Sequence, residues 1–318
     1  MRITLIGGTR FIGHAATERL IERGHEVTVI HRGVHPCEVK GARVIRADRN
    51  HPQRLIAAVM HVDTEAVIDT RALTRSHAEV TAMALKLLEL PAVVLSSQDV
   101  YAQFGRLLGH PGPAPTVTVD ETAPLTVPYP YRGVADHEGG DDYDKKDVEA
   151  VFRKAAEGDL PGVTILRLPP TYGNRDPKRR FAFIVDTLDR TGGELPHIGG
   201  APWRCTHAHV RDVAQAIALA VEQIEEGVRI FNVGEAETPM MRERAERIAA
   251  QLDIALHWQE VEELPDELRD LGPRRNPFVA SSRAIRDALG FEEITTEAER
   301  LADLIAWLRT SREHGSWR

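Results

Sequence analysis

Apolar and polar positions in the first hundred residues switch repeatedly between a period of two and a period near 3.6. Arg2 to Ile6 reads as a strand, with Ile3, Leu5 and Ile6 apolar, and Gly7-Gly8 breaks it. A helix is then predicted from near Arg10 to about Arg23, its buried stripe formed by Ile12, Ala16 and Leu20. Gly24 ends it, at the position where a left-handed backbone costs least without a side chain. His25 to Gly33 and Ala42 to Asp48 read as the second and third strands, followed by a helix around Pro52 to His61. Glu65 to Asp69 is a fourth strand, and Arg75 to Leu90 a longer helix carrying Val80, Ala84, Leu87 and Leu88 inward. Pro91 to Ser97 is a fifth strand. Strand–helix repeats this closely spaced predict an open parallel sheet with helices on both faces.

Regular patterning stops from Ala102 to Asp142, where Pro111, Pro113, Pro115, Pro124, Pro128 and Pro130 interrupt any helix. A loop of this length after a strand's carboxyl end is expected on the ligand side of a parallel sheet. Tyr129-Pro130-Tyr131-Arg132 could bring aromatic faces and a cation there, or pack as a surface turn. Helical periodicity resumes at Tyr143 or Asp144 and runs to Ala156, with Val148, Val151, Phe152 and Ala155 on one side. Gly162 to Leu168 is a sixth strand running into Pro169-Pro170-Thr171-Tyr172-Gly173. Further expected elements are a helix from Phe181 to Arg190, a short strand from Leu195 to Ile198, and a helix from Asp212 to Glu225. A strand from Arg229 to Gly234, a helix from Pro239 to Leu252 and an amphipathic helix from Glu297 to Arg309 complete the series.

The chain has 318 residues, 42% apolar and 28% charged, enough for one large domain or two intimate ones. No apolar run has the length of a membrane span, and the amino terminus reads as a folded strand rather than a signal peptide. Cys37 and Cys205 alone make neither a disulfide framework nor a metal set, so a reducing cytoplasm is the expected compartment. A net charge of −8 argues against binding nucleic acid through phosphate attraction.

The turn between the first strand and helix reads Gly7-Gly8-Thr9-Arg10-Phe11-Ile12-Gly13. It fits G-x-x-G-x-x-G with Arg10 replacing the middle glycine. After a strand and before a helix, such a turn presents backbone N–H groups and the positive helix end to a pyrophosphate. An ordinary strand–turn–helix unit without a ligand is the plain alternative. At the end of the second strand an acid selects the ribose hydroxyl of NAD and a base suits the 2′-phosphate of NADP. This chain has His31 and Arg32 there, which favours NADP, with NAD the alternative.

Six motifs carry a resemblance to a known family: GGTRFIG at 7–13, LSSQDVY at 95–101, YDKKDVE at 143–149, LRLPPTYG at 166–173, HVRDVAQAI at 209–217 and FNVGE at 231–235. In these the chain resembles the extended short-chain dehydrogenase/reductase superfamily, the NAD-dependent epimerase/dehydratase group, and specifically its atypical members. The resemblance implies an α/β fold: a Rossmann-type, doubly wound parallel sheet with a smaller C-terminal substrate-binding region. It implies a nucleotide domain over 1–171 with 207–235 returning to it, a substrate region over 172–206 and 236–290, and a C-terminal helix over 291–318. Cofactor contacts are implied at Gly7, Thr9, Arg10, Phe11, Ile12 and Gly13, and at Arg32, Asp48, Arg49, Thr70, Ser96, Lys145, Leu168 and Pro169. A small-molecule substrate, NAD-dependent or NADP-dependent hydride chemistry on a hydroxyl or carbonyl, and a homodimer through two helices of each subunit also follow from it.

The family works with a serine that orients the substrate, a tyrosine base and a lysine four residues later that lowers the tyrosine pKa. Tyrosine titrates near 10 when unperturbed, so a neighbouring cation is needed at neutral pH. Ser97 and Lys145 match their motifs, but the position four before Lys145 is Asp141. Tyr143 lies only two residues from Lys145, a spacing that separates side chains on a helix. Three readings stay open. Tyr143 reaches the site because it precedes the helix proper; or Asp141, Tyr131 or His137 is the base; or the protein binds nucleotide without catalysis, as a sensor or an RNA-associated protein. His207 and His209 could share a face as metal ligands, but with no third ligand in view they read as packing or supporting residues. Arg175, Arg179, Arg180 and Arg204 could grip a phosphate or carboxylate, as in a nucleotide-sugar, or be solvated surface cations.

Overall fold

The computed structural model describes residues 1–110, 118–126, 140–158, 160–272 and 276–313. The elements in chain order are β1 (Arg2–Ile6), α1 (Phe11–Glu22), β2 (Glu26–His31), β3 (Arg43–Arg46), α2 (Pro52–Met60), β4 (Ala66–Asp69) and α3 (Arg75–Leu88). Next come β5 (Ala92–Ser97), α4 (Ala102–Leu107), α5 (Lys145–Ala156), β6 (Val163–Leu168), β7 (Thr171–Tyr172), α6 (Ala182–Thr191) and β8 (Glu194–His197). The remainder are β9 (Ala208–His209), α7 (Val210–Glu222), β10 (Val228–Asn232), α8 (Met241–Gln251), β11 (His257–Glu260), α9 (Arg283–Leu289) and α10 (Glu297–Glu313).

Seven strands form one sheet in the order β10-β6-β5-β4-β1-β2-β3. Every pair in it is parallel. The chain starts in the middle, winds outward through β2 and β3, then crosses back to β4. The switch therefore lies between β1 and β4, where the connections leave the strands' carboxyl ends in opposite directions and open a crevice. One face is packed by α1 and α7 around Leu5, Leu20, Val29, Val213 and Ile217. The other is packed by α2, α3 and α5 around Ile30, Leu55, Leu85, Val94 and Phe152. β4 is buried at every position, as expected of a strand covered on both faces. A third core lies beyond the sheet, where Tyr101, Phe104, Phe181, Trp203 and Phe278 pack with α6, α8 and α10. The pairs β7–β9 and β8–β11 belong to that outer part.

The structure departs from the sequence pattern at a few points. Residues 102–107 form α4 within the stretch where patterning stops, because the prolines begin only at Pro111 and leave one short helix free to form. Leu87, expected inward on α3, is 62% exposed; the buried stripe is Ala78, Thr81, Ala82, Ala84 and Leu85. β11 and α9 fall where the sequence shows too short an apolar pattern to separate strand from helix. No helix among the described residues is long and apolar enough to cross a membrane.

The fold depends on α1 sitting close against the end of β1. A Cβ at Gly13 would stand 2.7 Å from the Gly7 carbonyl oxygen and 2.8 Å from Gly8 Cα, both backbone atoms that cannot swing away. Gly13→Ala should therefore lower stability by about 1–3 kcal/mol, the usual cost of overpacking. Chemical denaturation checks this; an unchanged midpoint would mean that α1 does not dock as described.

Candidate active site

The turn at the crevice is built from the backbone upward. β1 stops at Ile6, and the Gly7 N–H donates to the Ile30 carbonyl at 2.9 Å, tying the turn to β2. Gly7 has φ +97°, and a Cβ there would meet Arg71 Cγ at 2.4 Å. Thr17 donates its hydroxyl to the Gly13 carbonyl at 2.7 Å, holding the first turn of α1. Arg10 occupies the N-cap position and makes no side-chain cap. The first-turn N–H groups of α1 thus keep their capacity to meet an anion, aided by the helix dipole. Phe11, the first helical residue, has φ +35°, a strained value for a bulky side chain at this kind of site. Thr9, Arg10 and Phe11 line a cavity of about 70 Å³ together with His35, Pro36, Glu38, Arg175 and Pro177. Ile12 is half-buried beside them.

The end of β2 is basic. Arg32 is exposed, its carbonyl accepts Arg46 Nε at 3.2 Å, and the Gly33 N–H donates to His31 Nδ1 at 3.1 Å. Arg10 Nη1 lies 3.3 Å from His35 Nε2. Burial, with Arg46 adding to it, holds His31 below the usual histidine value; burial, Arg10 and Arg32 do the same to His35. The lasting positive charge at this end comes from Arg10, Arg32 and Arg46.

Several predicted contacts have other partners. Asp48 caps its own turn, accepting the Asn50 N–H at 2.9 Å. Arg49 reaches back to Asp69 at 2.8 Å. Asp69 is fully buried; its desolvation is outweighed by Arg49, the Thr81 hydroxyl and the Arg71 N–H, which keep the carboxyl below its ordinary pKa. Thr70 donates to the Ile6 carbonyl at 2.9 Å and stands over Gly7. Ser96 donates to Glu149 at 2.6 Å. At the end of β6, Leu168 and Pro169 are both buried, and the Pro169 carbonyl accepts the Thr171 hydroxyl at 3.0 Å.

The serine, tyrosine and lysine sit at the carboxyl ends of β4 and β5. Ser97 ends β5, and its hydroxyl accepts the Asp99 N–H at 3.3 Å. Asp144 is the N-cap of α5, accepting the N–H groups of Lys146 and Asp147, so the helix begins at Lys145. Tyr143 therefore precedes the helix, and helical spacing does not govern its direction relative to Lys145. Its buried hydroxyl donates to Asp99 Oδ2 at 3.4 Å. Lys145 donates from Nζ to the carbonyls of Ala72 at 2.7 Å and Leu95 at 2.8 Å. Burial pushes the ammonium pKa down to about 8, against the pull of Asp69 and Asp99. Asp141 is exposed on the short turn Gly140–Asp142, in contrast to that buried ammonium. Tyr129, Tyr131, Arg132 and His137 lie outside the described residues.

Asp99 is the residue that sequence reasoning missed. Its only signal was its place two residues after Ser97, where it turns back from the strand end to meet Tyr143. A buried network holds this end of the sheet. Arg167 and Glu149, each 1% exposed, form a two-point ion pair at 2.9 and 2.7 Å. Arg167 also donates to the Tyr101 hydroxyl at 2.8 Å, which donates to Asn232 at 2.8 Å. β5, α5, β6 and β10 are thereby fixed to one another at the level of Ser97.

The histidines and arginines of the C-terminal half do not converge. His207 Nδ1 donates to the Cys205 carbonyl at 2.7 Å, while His209 Nε2 faces Asp303 at 3.0 Å. Among the described residues no group of three or more His, Cys, Asp or Glu side chains is placed to hold a metal. Arg204 donates to the Thr238 carbonyl, Arg180 to Asp176 and the Thr171 carbonyl, and Arg179 to Asp186 and the Leu308 carbonyl. Arg175 instead reaches Glu38, beside the glycine turn, at 2.7 Å.

A wholly parallel seven-stranded sheet with a glycine turn at its switch point is a Rossmann-type fold. Residues 3–116 match the sequence model of the NAD dependent epimerase/dehydratase family. A 64-residue stretch, 20% of the chain, is 41% identical to 2-alkyl-3-oxoalkanoate reductase of Stenotrophomonas maltophilia (strain K279a), and spans 19% of that protein. Solved structures extend the likeness to the whole fold. UDP-glucose-4-epimerase from Stenotrophomonas maltophila, with bound NAD and formylated UDP-arabinopyranose, aligns over 99% of each chain at TM-score 0.75 and 17% identity. dTDP-glucose 4,6-dehydratase from Bacillus anthracis str. Ames, in complex with NAD, aligns over 98% of each chain at TM-score 0.72 and 15% identity. The UDP-glucose 4-epimerase of Thermus thermophilus, in complex with NAD, aligns over 97% of this chain and 99% of its own at TM-score 0.71 and 21% identity.

Two outcomes test the site's construction. Glu149→Gln leaves Arg167 buried with a broken ion pair and should cost about 3–5 kcal/mol in unfolding free energy; a loss below about 1 kcal/mol, within the range of exposed pairs, would contradict the network. Lys145 has its folded pKa near 8 and its ordinary value at 10.5, so the native state holds fewer protons than the unfolded state between those values. Its contribution to unfolding free energy should then rise with pH, by up to about 1.4 kcal/mol per unit, across that window. Subtracting the Lys145→Met curve from the wild-type curve isolates that rise; a flat difference would place the ammonium in water.

Proposed function

We propose that the protein is an NAD(P)-dependent enzyme of the epimerase, dehydratase or reductase type. It acts on a hydroxyl or carbonyl of a small polar substrate, of which a nucleotide-sugar is the leading class. The observation that carries this reading is the alignment of two features on one sheet end. A dinucleotide cradle with room only for glycine lies at the carboxyl end of β1, and the carboxyl end of β5, two strands across the same parallel sheet, carries Ser97 with Asp99, Tyr143 and Lys145 joined to it by hydrogen bonds. The residues fit a nicotinamide dinucleotide: the uncapped start of α1 suits its diphosphate, and the arginines at the end of β2 suit a 2′-phosphate, which makes NADP the preferred form and NAD the alternative. The NAD and UDP-sugar derivative bound in the similar epimerase structure support the same class of ligand.

When bound, the nicotinamide supplies a hydride acceptor or donor for the carbon that carries the substrate oxygen. The remaining chemistry is assigned to this chain. Ser97 donates a hydrogen bond that orients the substrate oxygen. Tyr143 takes or returns the proton on that oxygen at its hydroxyl, and Asp99, which accepts a hydrogen bond from that hydroxyl, orients it. Lys145 supplies a buried positive charge two residues away, which favours the tyrosinate over the neutral phenol. The outer part built on α6, α8 and α10 would cover the substrate and exclude water.

Titration of the purified protein, stripped of any nucleotide by denaturation and refolding, tests the cofactor. NADPH should bind more tightly than NADH, and Arg32→Ala should weaken NADPH about tenfold while leaving NADH within about twofold, a tenfold change being about 1.4 kcal/mol. Tightly retained NAD would overturn the assignment of Arg32. Tyr143→Phe should abolish turnover while nucleotide binding stays intact. Activity that survives the substitution would remove Tyr143 from the mechanism. A wild type that binds nucleotide yet turns over no substrate from a panel of UDP-sugars and small ketones would favour a binding protein over an enzyme.

A further inference from the structure

Arg175 comes from the segment after β7 that the sequence assigns to the substrate side, yet its guanidinium stands at the glycine turn. Its Nη2 lies 2.7 Å from Glu38 Oε2, and both residues line the cavity formed by Thr9, Arg10, Phe11, His35, Pro36 and Pro177. The two ends of this bridge are held very differently. On the Arg175 side, the Asn174 N–H donates to Asp303 at 3.1 Å. Asp176 accepts the Arg180 N–H and Nη1, each at 2.9 Å. Arg175 itself has φ +65°, a left-handed backbone value uncommon for a residue that carries a side chain. Glu38 lies in the connection between β2 and β3, and its side chain is 51% exposed. Among its described neighbours the carboxylate is surrounded by cations and by groups that become cations. Arg10 and His35 share the cavity, and His14, on α1, feels both Glu38 and Arg175.

We infer that the Arg175–Glu38 bridge spans the mouth of the dinucleotide cradle and is exchangeable: the diphosphate of the cofactor replaces the Glu38 carboxylate on Arg175. The inference rests on the proposed nucleotide-binding role of the glycine turn. The chemistry favours the exchange. An ion pair with so exposed a partner contributes little to stability, so opening it costs little. A diphosphate offers more charge and a better match to the planar guanidinium than one mobile carboxylate. Glu38 thus holds Arg175 in place while the cradle is empty, as an internal competitor for the cofactor. After the exchange Arg175 connects the diphosphate to the β7 segment, and through Asn174 and Asp303 to α10. Cofactor binding would then brace the outer part of the fold that covers the substrate.

Calorimetric titration with NADP+ at low salt tests this in wild type, Glu38→Gln, Arg175→Ala and the double variant. Glu38→Gln should tighten binding about threefold to tenfold, because the competitor is gone. Arg175→Ala should weaken it about tenfold. In the double variant the gain from Glu38→Gln should disappear, since Glu38 acts through Arg175. With melting temperatures at the wild-type value, unchanged affinity in either single variant overturns the exchange. So does a gain from Glu38→Gln that persists undiminished without Arg175, which would report only the removal of a negative charge. Wild-type protein that binds neither NADP+ nor NAD+ overturns the nucleotide-binding reading and the exchange together. Wild type that binds while Glu38→Gln changes nothing overturns the exchange alone.

Discussion

One backbone contact governs the architecture: the first turn of α1 rests on Gly7 and Gly8, with no room for a Cβ at Gly13. Backbone packed on backbone leaves no side chain to cap the helix, and Arg10 at the N-cap supplies none. The same contact that docks α1 onto the sheet thus leaves its amide groups facing the crevice. Since β1 is the central strand from which the sheet winds in both directions, that opening lies at the switch point between β1 and β4. The position of the site follows from the packing of one helix on one strand.

Around this opening the chain spends buried polar groups to keep strand ends in register. Asp69 at the end of β4 gathers Arg49, Thr81 and the Arg71 N–H, and Arg167 joins Glu149, Tyr101 and Asn232 beneath β5 and β6. Buried charges of this kind are costly unless fully paired. Here they support the strand ends that carry Ser97 and receive Lys145, so their pairing fixes the positions of the groups proposed to handle the proton. Lys145 is the exception in the network: its ammonium is paired with carbonyls rather than a carboxylate, and its pKa falls with its burial.

Much of this was legible in the sequence because it rests on local rules. Two-residue and 3.6-residue periods marked the strands and most of the helices, and the glycine turn announced itself by its position after the first strand. The pattern says least where the decisive partner is far along the chain. Arg49 and Ser96, expected at the cofactor, are engaged by Asp69 and Glu149 within the scaffold. Asp99 lies inside the LSSQDVY motif with no part predicted for it, and meets Tyr143 only from 44 residues along the chain. Helical spacing argued against Tyr143 beside Lys145, but the Asp144 cap starts the helix too late for that rule to apply. Arg175 belongs by sequence to one half of the fold and by contact to the other, which no local pattern could reveal.

The central claim is that the amide groups at the start of α1 receive a dinucleotide phosphate. Amide hydrogen exchange followed with and without NADPH addresses it directly. Protection should appear first at residues 7–14, and extend to the end of β2 around Arg32. If NADPH binds and these amides exchange at unchanged rates while protection appears elsewhere, the glycine turn is only a packing device and the site lies in another part of the fold.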